Sequence, residues 1–261
     1  MHRRGWMMVV ALACIFAMPL KMSRAQETQA QPKSGGATTH RSSSAVSPYQ
    51  RILLRPSLLT AKAPATYKVK FVTTKGDFVI EVTREWAPRG ADRFYNLVRH
   101  HFYDNTSFFR VLKGFVVQWG ISAYPPVNVA WDHAPIKDDA VVQSNLRGYI
   151  TYAMGGPNTR TTQVFVNLVD NKRLDGMGFA AFGQVVEGMD VVDSLYAGYG
   201  EGAPDGKGPV QDTIEKSGKP YLDKNFPLLD SIKTARLILP EGATSSKAPA
   251  GKAPAASEKQ R

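Results

Sequence analysis

Thiol chemistry is almost missing from this chain: of its 261 residues, only Cys14 is a cysteine. Cys14 lies inside a short apolar stretch, Trp6 to Leu20, that follows the basic residues His2, Arg3 and Arg4. A lipid-modified cysteine there would leave Ile15, Phe16, Ala17 and Met18 as a hydrophobic mature start, so Cys14 reads as an ordinary signal-peptide residue. The rest of the chain has no thiol, which excludes disulfides, thiolate catalysis and cysteine-ligated metals. It also suits an oxidising compartment, where a stray thiol could form wrong bridges. A long apolar run is lacking too: the N-terminal stretch of about 15 residues falls short of the ~20 needed to span a bilayer. Ser23-Arg24-Ala25 then offers small residues at the two positions a signal peptidase reads. We expect residues 1–25 to be a secretory signal cut after Ala25, giving a periplasmic or secreted protein with no integral membrane span.

Metal and phosphate chemistry are equally poorly served. His100, His101 and His133 show no ligand spacing. Gly155-Gly156 lacks the Gly-Lys-Ser/Thr that a phosphate loop requires. No cofactor is expected. The net charge of +11 suggests nucleic acid until it is located. Residues 1–25 carry +4, residues 26–66 another +4 and residues 240–261 +2, leaving only +1 for residues 67–239. A nucleic-acid-binding domain needs a clustered basic face, so that class is excluded.

The remainder divides by composition. Residues 26–66 are rich in Gln, Ser, Thr, Pro and Ala and read as a flexible tether, with Tyr49 to Leu59 as a stretch able to dock. Residues 240–261, with two Lys-Ala-Pro triplets, read as a disordered tail. Between them, 67–239 forms one domain. Tyr67–Thr73 and Asp77–Thr83 are β-rich runs separated by Thr74-Lys75-Gly76, a hairpin signal. Pro88 opens a helix in which Ala91, Phe94, Leu97, Val98, His101 and Phe102 share a face. Short β-like runs follow at 108–112, 115–119, 148–153, 163–168, 179–185 and 234–239, with a second short helix over 188–195. Many short strands and few helices predict a small barrel or sandwich.

Three ordered stretches narrow this further. The first is Phe108-Phe109-Arg110-Val111-Leu112-Lys113-Gly114-Phe115-Val116-Val117-Gln118. The second is Ala153-Met154-Gly155-Gly156-Pro157-Asn158-Thr159, running on to Gln163-Val164-Phe165-Val166. The third is Leu174-Asp175 followed by Phe179-Ala180-Ala181-Phe182-Gly183. Together they resemble the cyclophilin family of peptidyl-prolyl cis-trans isomerases over essentially all of 67–239. The resemblance implies a mainly β fold, a closed eight-stranded antiparallel barrel capped by two helices. It also implies Arg110 and Gln118 as the catalytic pair. Phe115, Val116, Phe165 and Leu174 would hold the proline ring, with Gln163 and the backbone near Ala153 and Met154 around the flanking peptide and Phe179 as a further substrate-binding residue. Partners would be proline-containing peptides and unfolded exported proteins, met by a monomer. A binding module or chaperone with little turnover is the alternative.

The residue types suit that chemistry. The bond before proline has a rotation barrier of roughly 18–20 kcal/mol, and no bond needs to break. A catalyst must bind the twisted amide better than either planar form. Twisting localises a lone pair on the proline nitrogen, which an always-charged guanidinium with several rigid donors can stabilise. Simple alternation puts Arg110, Val116 and Gln118 on one face but leaves Phe115 off it, unless Gly114 marks an irregularity. Arg173 stands where many cyclophilins have tryptophan, Phe179 where they have histidine, and Val116 where they have methionine. These changes should alter ligand preference, cyclosporin-like inhibition included, more than basic activity.

Overall fold

The computed structural model describes residues 47–238. The signal and tail expectations, and residues 26–46 of the tether, lie outside the described residues. Eight strands form one antiparallel sheet: β1 (Thr66–Thr73), β2 (Asp77–Thr83), β3 (Arg110–Val111), β4 (Val116–Trp119), β5 (Tyr149–Tyr152), β6 (Val164–Asn167), β7 (Ala181–Glu187) and β8 (Ile232–Ile238). Their order across the sheet is β3-β4-β6-β5-β7-β2-β1-β8. Every strand lies within a residue or two of an expected run. The sheet's two ends meet not along a full ladder but through a single bridge, Ser107 with Ser231. Phe108 N donates to Asp230 O at 3.0 Å and Ile232 N to Thr106 O at 2.8 Å. The expected closed barrel is thus a curled sheet pinned where its edge strands begin.

Alternation of side chains along the strands fills the inside. Phe71 and Phe78, neighbours across β1 and β2, stack at 4.8 Å between ring centroids. Trp119 stands edge-on to both, and Phe94, Tyr103, Phe108 and Phe182 complete a fully buried aromatic core. Phe94 comes from α1 (Pro88–Arg99), which buries Ala91, Phe94, Leu97 and Val98 on the face read from its periodicity. Pro88 opens that helix, and its exposed N–H groups are met from afar: Asp139 accepts from Arg89 N at 3.0 Å and Gly90 N at 2.9 Å.

The expected pair of helices, α1 and α3 (Met189–Asp193), is joined by three others among the described residues. They are α2 (Pro125–Asp132), α4 (Gln211–Ser217) and α5 (Lys219–Asn225). The last two contribute Ile214 and Leu222 to a separate apolar cluster with Phe109 and Ile121. The domain also begins earlier than residue 67. Leu53, Leu59 and Ala63 are buried in the main core. Trp131 Nε1 donates to Leu53 O at 2.9 Å, and Asn96 Nδ2 donates to Ala61 O at 2.7 Å. Residues 47–65 are therefore a docked strap rather than tether, because their few leucines find a groove between α1 and α2.

Candidate active site

Strand parity explains how a polar constellation stands on an apolar scaffold. All of β4 is buried, yet Val117 and Trp119 enter the main core while Val116 joins a second cluster with Phe165 and Leu174. Gln118 has the parity of Val116 and so faces away from the core. Register then aligns the site: Arg110 lies opposite Gln118, and Gln118 opposite Phe165. Directly paired residues on one face stand about 5 Å apart, so three strands deliver three functional side chains in one row.

Hydrogen bonds turn that row into a chain. Arg110 Nη1 donates to Gln118 Oε1 at 3.0 Å, and Gln118 Nε2 donates to Gln163 Oε1 at 2.9 Å. Phe115 escapes alternation because Gly114, at φ +78°, turns the chain in the left-handed region. The turn is closed by Phe115 N donating to Leu112 O and Leu112 N to Val116 O, both at 2.9 Å. The ring of Phe115 then lies 5.8 Å from the Arg110 guanidinium and 4.7 Å from that of Arg173.

The remaining wall arrives on a 3-10 turn, Lys172–Met177, carrying Arg173, Leu174 and Met177. Asp175 anchors the turn by accepting from Ser144 Oγ at 2.5 Å, Asn145 N at 2.9 Å and Asn145 Nδ2 at 2.8 Å. Burial alone would raise the Asp175 carboxyl, but these bonds outweigh it and hold it below the usual carboxylate range. Phe179 meets Phe165 edge-on, with centroids 5.8 Å apart.

The resulting cavity, about 470 Å³, is lined by Arg110, Phe115, Val116, Gln118, Ala153, Met154, Phe165, Leu174 and Phe179. The tenth expected residue, Gln163, lines an adjoining pocket of about 290 Å³ together with Gln118, Ala153 and Met154. A larger groove of about 640 Å³ lies between the N-terminal strap and α1–α2. Its partly buried Arg93 donates from Nη1 to Ala134 O and Thr161 O and stacks on Trp131, so that group serves the fold.

Sequence reasoning missed Met177, Glu201, Asp205 and Gln211, which also line the cavity. Glu201 matters most: Arg110 Nε donates to its Oε1 at 2.7 Å and Arg110 Nη2 to its Oε2 at 2.6 Å. The Arg110 guanidinium, with Gly202 N assisting, holds the Glu201 carboxyl below the usual range despite partial burial. No local signal could have found it, since 91 residues separate the two partners.

Residues 68–218 match the family described as cyclophilin type peptidyl-prolyl cis-trans isomerase/CLD. The chain belongs to the cyclophilin family. It is 38% identical over 136 residues to peptidyl-prolyl cis-trans isomerase B of Escherichia coli, covering 49% of this chain and 82% of that relative. It is 35% identical over 150 residues to a peptidyl-prolyl cis-trans isomerase of Acinetobacter baylyi, covering 55% and 79%. A crystal structure of a Cryptosporidium parvum cyclophilin type peptidyl-prolyl cis-trans isomerase matches with TM-score 0.50, 20% identity, and coverage of 67% of this chain and 99% of that one. That last likeness is one of fold. Among the described residues, no His, Cys, Asp and Glu group of metal-binding size is present. None of the described helices is long and apolar enough to cross a membrane. Arg173, with its guanidinium 4.7 Å over the Phe115 ring, covers that aromatic face with a cation.

Proposed function

We propose that this cyclophilin catalyses X-Pro isomerisation in exported polypeptides, with Arg110 as the catalytic residue and Gln118 as its partner. One observation carries the reading: a guanidinium fixed by Gln118 at the mouth of a pocket built from Phe115, Val116, Phe165 and Leu174. The proline ring is apolar and suits such a slot. As the amide twists, charge gathers on the prolyl nitrogen at the rim, where Arg110 can donate without reorganising. Gln163, with Ala153 and Met154, flanks the adjoining pocket and suits the residues beside proline. Phe179 would close one end of the slot. The export context rests on the N-terminal signal pattern and the thiol-free remainder of the chain, and the clients would be unfolded exported proteins met by a monomer.

One observation favours the alternative of a binding module: Glu201 already occupies two Arg110 donors. Of the five N–H groups on a guanidinium, two stay unengaged after the bonds to Glu201 and Gln118. Catalysis needs only one. The test is exchange of a short X-Pro peptide by NMR or a protease-coupled assay. Wild-type protein should accelerate it, and Arg110→Ala should lower kcat/KM by roughly 100-fold or more, with the melting temperature little changed. Wild-type protein that leaves the exchange rate unaltered would favour the binding module.

A further inference from the structure

The segment between α3 and α4 contributes no strand to the curled sheet, yet it sends a carboxylate to the guanidinium. Gly202 bridges to Gly208, Gly208 N donates to Glu201 O at 2.7 Å and Gly206 N to Gly202 O at 3.1 Å. A side chain at Gly208 would meet the Glu201 carbonyl at 2.7 Å, and one at Gly206 would come closer still, so the loop closes around Glu201 only with glycine there. Gly202 N also donates to Glu201 Oε1 at 3.0 Å, which fixes the carboxylate as well as the backbone. The arginine is thus held from two sides: Gln118 on Nη1, Glu201 on the Nε–Nη2 edge.

We infer that Glu201 is a positioning residue for the isomerase site, supplied by the 200–208 loop to lock the plane of the Arg110 guanidinium before substrate arrives. The inference rests on the isomerase reading and adds to it a residue outside the three sequence motifs. An arginine side chain loses much of its rotamer freedom when it is fixed. A fork held in advance leaves less of that loss to the reacting complex. The geometry fits this role: Arg110 is only 19% exposed and Glu201 35%, so the pair is shielded enough to be ordered while two N–H groups stay unengaged. Because Glu201 acts through Arg110, its removal should lower kcat and spare KM.

The experiment compares wild type, Arg110→Ala, Glu201→Gln and Glu201→Asp in steady-state X-Pro exchange, together with the ¹⁵N-detected Nε–H resonance of Arg110. We expect Glu201→Gln to lower kcat about tenfold at unchanged KM, and to broaden the Arg110 Nε–H signal through faster solvent exchange. Glu201→Asp, one methylene shorter, should lose more than Glu201→Gln while thermal melting stays that of wild type. Equal or higher kcat in Glu201→Gln, or a loss confined to KM, overturns the positioning role; higher kcat would make the loop a brake. A wild type without turnover overturns the isomerase reading and this role with it. Wild-type turnover that Arg110→Ala abolishes and Glu201→Gln leaves intact overturns the positioning role alone.

Discussion

The two faces of β4 serve different ends: one enters the main core and the other forms the floor of the site. Trp119 points inward, fully buried against Phe71, Phe78 and Phe108. Gln118, its neighbour in sequence, points outward and links Arg110 to Gln163. Inside, stability comes from area removed from water; outside, the same backbone holds a polar chain above the small apolar floor of Val116, Phe165 and Leu174. Strand alternation therefore lets one scaffold separate folding from chemistry at single-residue resolution. The core can be dry and close-packed while the site keeps a charge.

Breaking the inner face should give the largest effect. Trp119→Ala removes a fully buried indole and should cost about 3–5 kcal/mol of unfolding free energy. Denaturant titration measures it, and activity per folded molecule should stay near wild type. Its Nε1 has no acceptor among the described residues, so the loss is one of packing rather than of a hydrogen bond. On the outer face, Gln118→Ala should do the reverse. It removes the acceptor that orients Arg110, and misplacing a reacting group by about 1 Å can cost on the order of a hundredfold, so kcat/KM should fall roughly ten- to a hundredfold with a stability loss smaller than that of Trp119→Ala. A large stability loss in Gln118→Ala would erase the separation between the two faces.

The smallest effect sharpens the comparison at the edge of the pocket. The Asp175 carboxyl sits below its usual range through Ser144 and Asn145. A group depressed in the folded state lends stability above its unfolded value of about 3.9, and that stability is lost as pH falls through the folded value. Asp175→Asn should flatten the fall in melting temperature between neutral pH and about pH 3, while lowering the neutral-pH value modestly. An unaltered acid profile would show that the turn carrying Leu174 does not depend on this carboxylate.

Much of this was legible in the linear chain. The β-rich runs fell where the strands form because alternation and turn residues are local properties, as at Thr74-Lys75-Gly76 between β1 and β2. The three motifs named residues that do gather around one cavity. The parity problem at Phe115 was visible too, and Gly114 resolved it by a turn with positive φ. What escaped has a common cause. The helices α4 and α5 are seven residues each, bury one residue apiece, and owe their position to contacts with Phe109 and Ile121 rather than to their own periodicity. The strap at 47–65 was legible only in part: Tyr49 to Leu59 reads as a stretch able to dock, but its extension to Ala63 and its seat against α1 and α2 came from tertiary contacts.

By itself the sequence determined the strands, the helix α1 and the faces they bury, because these follow from spacing along a chain of known geometry, while the arginine was picked out by the resemblance of its motif to those of cyclophilins. Only the tertiary structure decided what surrounds that arginine. Glu201 reaches it across 91 residues, and an ion pair depends on the distance between charges in space, which spacing along a folded chain does not encode.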